Sequence, residues 1–270
     1  MLATSGAKCI YCGGAQDATT EEHCPPRALF RQRAWPEGFA FPSCVACNAG
    51  TSDDDLLVQF MASMQPDPDD AQVKKFSGLM YQVKNQFPGL LQRMMARSAT
   101  EARQIARALG VVPPPGKLHQ DINVVKVPPE LHDAVAVLAT KLSKSVYFLY
   151  EKKIFPADGE IALHWFTNAQ LLQYDTIPAL ESLAGLPMTG LPLRRNGKNL
   201  KDQFDYEYTL GEGYHVLKVA FGRVFGFVTF FNTEPGTVAE FLGRMRTESG
   251  KMRGPFQLVQ PDEGRGPEDV

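Results

Sequence analysis

Apolar positions recur at three- and four-residue steps in several stretches of the chain, and this spacing predicts most of its helices. Leu56, Leu57, Phe60, Met61 and Met64 follow Ser52-Asp53-Asp54-Asp55, so a helix opens there with acids over its positive end. Val73, Phe76, Met80 and Val83 predict a second helix over about 69–86. Ser98 and Glu101 form a capping-box pair that opens a short helix, which Gly110 closes. The longest stripe is Leu131, Val135, Leu138, Leu142, Val146 and Leu149, which predicts a core-facing helix from about Pro129 to Lys153, with prolines suited to its first turn. The period then changes. Ile161 to Phe166 and the run from Tyr206 to Asn232 favour strands, with Gly211-Glu212-Gly213 and Gly222-Arg223 as turn signals, giving an antiparallel meander packed on that helix.

Punctuation divides the chain. Pro113-Pro114-Pro115-Gly116 is a stiff break, and residues from about Gly254 onward, rich in Pro, Gly and charge, read as a tail. The expected organisation is an N-terminal module over 1–65, a helical segment over 66–112, an α+β unit over 113–253 and a flexible tail over 254–270. The 270-residue length leaves room for about two domains. No 18-residue apolar run and no charged-then-apolar leader occur, so neither membrane insertion nor secretion is expected. With 28 basic and 30 acidic residues the net charge is −2, which argues against a protein that coats nucleic acid by electrostatics alone.

The candidate chemistry is concentrated in the first fifty residues. Cys9/Cys12 and Cys44/Cys47 are two Cys-x-x-Cys pairs, and four thiolates so arranged suit the tetrahedral coordination of a structural Zn²⁺. Such pairs, with Cys24 left over as a free thiol, fit a reducing, cytoplasmic setting better than a disulfide framework. Residues 13–43 lie between the pairs, enough for a hairpin. Thr19-Thr20-Glu21-Glu22-His23 favours extended backbone, and Pro25-Pro26 ends it. Knuckle, hairpin, knuckle, helix is the order of a treble-clef zinc fold, so the expected fold class is α+β. It comprises a zinc-bound ββα-metal module, a helical middle and a C-terminal helix packed on an antiparallel sheet.

The runs Cys9-Ile-Tyr-Cys12-Gly13, Glu21-Glu22-His23-Cys-Pro-Pro-Arg27 and Cys44-Val-Ala-Cys47-Asn48 resemble the zinc-containing HNH endonucleases in their Glu-His variant, over residues 7–60 alone. The resemblance implies that His23 is the general base, that Glu22 and Asn48 bind a catalytic Mg²⁺ or Mn²⁺, and that Cys9, Cys12, Cys44 and Cys47 hold zinc. It also implies a nucleic-acid substrate, with DNA favoured. The chain departs from the family where many members carry a middle asparagine, having Phe39-Ala40-Phe41-Pro42-Ser43 there. Lys8, Arg27, Arg31 and Arg33 are candidate contacts to substrate phosphates. Arg194-Arg195 with Lys198 and Lys201 could extend that footprint.

Strand alternation sets adjacent side chains on opposite faces, so Glu22 and His23 share a site only if the backbone turns between them. Asn48 serves equally well as a helix cap, and His23 as a structural histidine. The alternative function is a non-catalytic treble-clef zinc module that binds nucleic acid or protein.

Overall fold

The computed structural model describes residues 6–65, 68–108, 113, 116, 118–119, 125–167, 185–211, 214–248 and 256–260. Its architecture is mixed α+β, with the cysteine cluster near the N-terminus. The first knuckle turns at Gly13 and Gly14, both at positive φ. A Cβ on Gly13 would lie 2.7 Å from the Ala157 backbone nitrogen, so only glycine lets the knuckle approach that turn of the C-terminal half. The hairpin is β1 (Thr20–His23) paired antiparallel with β2 (Ala40–Ser43), with His23 opposite Ala40. Cys44 then caps the five-residue helix α1 (Val45–Ala49), and α2 (Ser52–Ala62) follows.

Helix α3 (Asp70–Gln86) begins at the predicted place. Asp69 is its cap, and a reciprocal bond with Gln72 completes a capping box. Phe60 of α2 stacks on Phe76 of α3, with ring centroids 5.6 Å apart. Helices α4 (Leu90–Met94) and α5 (Ala99–Ala108) complete the helical middle, and Ser98 caps α5 as its sequence requires. Gly110 and residues 114–115 of the proline break lie outside the described residues, as do Glu212 and Gly213 of one predicted turn.

Helix α6 (Pro129–Glu151) runs through the middle of the molecule. The predicted apolar stripe is buried from Leu131 to Val146, but so are Lys141, Ser143, Lys144 and Ser145 on its other sides. The reason is that α6 is covered twice, by α2 and the knuckles on one side and by the large sheet on the other. That sheet comprises β3 (Glu160–Thr167), β6 (Asp205–Gly211), β7 (Tyr214–Phe221), β8 (Phe225–Asn232) and β9 (Gln257–Gln260), all antiparallel, in the order β6-β7-β8-β3-β9. A small hairpin, β4 (Arg194–Arg195) and β5 (Lys198–Asn199), and helix α7 (Thr237–Glu248) complete the fold.

Two expectations are corrected. The predicted tail contains β9, which pairs with β3; Gln260 Nε2 also donates to the Gly159 carbonyl at 2.9 Å. Those pairings, invisible in a short polar run, order a segment whose composition alone reads as disordered. Nor does the proline break divide the hydrophobic core: one continuous cluster joins Cys9, Phe41 and Val58 to Leu138, Phe155 and Phe231. Among the described residues, no helix is long and apolar enough to cross a membrane.

Candidate functional site

The four predicted metal-binding thiols converge. All four Sγ atoms lie within 4.8 Å of one another. A tetrahedron with metal–sulfur bonds of about 2.3 Å has sulfur–sulfur edges of roughly 3.8 Å, so the cluster can close on an ion with small side-chain shifts. Among the described residues, no other group of three or more His, Cys, Asp or Glu side chains is gathered closely enough to do so. Burial works against the Cys9 thiolate. Backbone hydrogen bonds from Cys44, Cys12 and Tyr11 outweigh it and bring the thiol down to about 7. Burial pushes Cys12 and Cys47 up, and the neighbouring thiolates add to it. A bound cation would relieve that crowding.

Two lysines from α6 reach this module, residues that the reading of the sequence did not single out. Lys144 Nζ donates to the Tyr11 carbonyl at 2.7 Å, inside the first Cys pair. Burial brings Lys144 down to about 8, while the charges of Cys47, Cys12 and Cys9 favour its protonated form. Lys141 Nζ donates to Thr51 Oγ1 at 2.8 Å and to the Cys47 carbonyl at 3.3 Å, and it forms a buried ion pair with Glu22. The signal that could have found them is the run Lys141 to Lys144 inside an otherwise core-facing helix, where a polar side chain needs a buried partner.

Glu22, expected as a ligand of a catalytic metal, lies in the buried contact with Lys141. It faces inward from β1, 5 % exposed, and its carboxylate is paired with Lys141. Burial raises its pKa, and Lys141 opposes that rise. Nearby Asp55 is pushed up to about 7 by burial, with Lys141 again opposing. Asn48, the other expected ligand, is held by its amide nitrogen. Its Nδ2 donates to Thr20 Oγ1 and to the Glu21 carbonyl, each at 3.1 Å, so its side chain pins the start of α1 to β1. Of the two residues expected to bind a catalytic Mg²⁺ or Mn²⁺, Glu22 faces away from His23, and Asn48 is bonded to the Glu21 carbonyl two residues before it.

His23 lies on the opposite face of β1 from Glu22, on the side of Glu21. Its ring meets the edge of Trp35, with centroids 4.6 Å apart and planes at 84°. The Arg27 and Arg195 guanidinium carbons lie 4.1 and 3.9 Å from the Trp35 ring. Burial, then the charge of Arg27, lowers the His23 pKa; Glu21 opposes and Arg195 adds to the lowering. Arg27 Nε is buried without a hydrogen-bond partner among the described residues.

The remaining phosphate candidates lie elsewhere. Lys8 pairs with Asp17 at 2.8 Å, and Arg31 pairs with Asp202 at 3.2 Å. Arg31 and Arg33 line a separate cavity of about 670 Å³. Arg27 alone of the four is at the histidine, and Arg195, more distant in the chain, joins it. In comparisons with known proteins, no family model, no curated protein and no solved structure matches the chain.

Proposed function

We propose that the outer face of the β1–β2 hairpin is the active face of an HNH-like endonuclease acting on DNA, built on a module that the four cysteines fix around a structural Zn²⁺. One observation supports this reading above the others. A half-buried histidine, kept neutral by its surroundings, stands beside arginines that meet at one tryptophan. Phosphodiester hydrolysis needs a base that accepts a proton from water near neutrality and positive charge where the phosphate gains negative charge. His23 supplies the first and Arg27 the second. Attack of the water oxygen on phosphorus forms one P–O bond and breaks the bond to the leaving 3′-oxygen. His23 takes the water's proton, and the departing oxygen regains one from solvent.

The test is nicking of supercoiled plasmid by the whole chain, with and without Mg²⁺ or Mn²⁺, beside His23→Ala. Loss of general-base catalysis should slow nicking about 10²- to 10⁴-fold while the thermal melt stays unchanged. Because the His23 pKa is lowered, by burial first and then by Arg27, the rate should rise with pH through a midpoint below ~6.5 and then level. Equal nicking by both proteins, or by neither, would defeat the enzymatic reading.

A second reading, a non-catalytic nucleic-acid-binding zinc module, is favoured by one observation: Glu22 and Asn48 are both committed to scaffold bonds. It predicts that the wild-type chain binds DNA and leaves it intact under every metal condition.

A further inference from the structure

We propose that Arg195, on the β4–β5 hairpin of the C-terminal half, acts with Arg27 as a two-arginine binding site for a nucleic-acid phosphate, organised by Trp35 beside His23. The proposal rests on the reading of the His23 face as a DNA-acting surface, and it makes that surface a composite of residues distant in the chain. Arg195 is placed firmly. Its hairpin turns tightly at Asn196-Gly197, both at positive φ, as a two-residue turn of this hand requires. The hairpin is bound to the loop that carries Trp35: Glu37 N–H donates to the Arg194 carbonyl at 3.0 Å, and Asn196 N–H to Glu37 Oε1 at 3.0 Å.

The two guanidinium groups are gathered at one ring although they repel. Stacking occupies the face of a guanidinium and leaves the donors around its edge directed outward. No carboxylate pairs with Arg27 or Arg195 among the described residues, whereas Arg31, Arg93 and Lys201 each have an acid partner. A phosphodiester held by the outward donors of both guanidinium groups would relieve the repulsion and set the phosphate next to the imidazole. Planar, bidentate recognition of phosphate is what arginine does better than lysine.

The experiment is fluorescence anisotropy of a labelled short DNA duplex titrated with the full chain over a series of salt concentrations. Arg195→Ala should weaken binding about five- to tenfold and lower the slope of log affinity against log salt by about one, the signature of one lost phosphate contact. Arg195→Lys keeps the charge and loses the fork, so it should restore the slope but only part of the affinity. Lys218→Ala, on the sheet and paired with Glu207, should change neither. Each protein is first checked by its thermal melt. Should Arg195→Ala not fold, Arg195→Gln is read by the same criteria.

Wild-type affinity and slope in the folded variant would overturn the proposal, as would a wild-type chain that does not bind DNA. If that variant binds normally while wild type nicks plasmid and His23→Ala does not, the clamp fails and the catalytic reading survives. If affinity and slope fall while no protein nicks, the clamp is supported and catalysis is what fails.

Discussion

Glu22 and His23 are neighbours in the chain and occupy opposite environments. Beneath β1, Glu22 is enclosed with Lys141, Thr51 and the Cys47 carbonyl, and every strong donor and acceptor there has an answer. Above it, His23 meets Trp35 edge-to-face, and over the same Trp35 ring lie two arginines that have no acid partner among the described residues. A half-turn of extended backbone separates a sealed region from an open one. An acid and a histidine side by side in sequence are thus weak evidence for a shared site when they lie within a strand. Here the acid secures the scaffold, and the imidazole faces the other way, toward Trp35.

The sharpest way to break that contrast is to remove what supports both faces. Cys44→Ser, or chelation of the metal, should unfold the N-terminal module, since structural zinc contributes on the order of 10 kcal/mol in small modules. Because α6 is packed against that module, the loss should show in the far-ultraviolet circular dichroism melt of the whole chain; an unaltered melt would refute the coupling. Next in size is Lys141→Met, which leaves the Glu22 charge buried and unpaired at a cost of about 3–5 kcal/mol in urea unfolding. Adding Glu22→Leu should recover most of it. In a nicking assay Glu22→Gln should act within a few-fold of wild type, whereas abolished activity would restore Glu22 as a metal ligand.

The smallest effect is at Asn48. Asn48→Ala removes two hydrogen bonds and should cost about 1–2 kcal/mol. Asn48→Asp is the more telling change. It replaces a needed donor with an acceptor, so it should destabilise at least as much, while a metal-binding position would tolerate the carboxylate.

The short-range features of this protein were legible in its residues. Cys-x-x-Cys spacing is a local geometric demand, the Asp69 and Ser98 caps are local hydrogen bonds, and the stripe from Leu131 to Val146 reports one buried face of α6. What could not be read is pairing across the chain. Lys141 meets Glu22 from 119 residues away, and Arg195 reaches Trp35 only because the β4–β5 hairpin docks on Glu37. Asn48 illustrates a subtler loss: the residue type was informative, but a carboxamide binds by either end, and only the structure shows its nitrogen engaged.

Strand β3 sits between β8 and β9, so both of its ladder partners are made after it. During synthesis, Ile161, Leu163 and Phe166 leave the ribosome with no hydrogen-bonded neighbour until Phe225 and then Gln257 have followed. Helix α6 is already complete by then and offers the nascent strand an apolar surface to lean on. Vectorial folding of this chain should therefore pass through a helix-shielded strand awaiting its sheet, a species prone to self-association whenever translation stalls before β8 emerges.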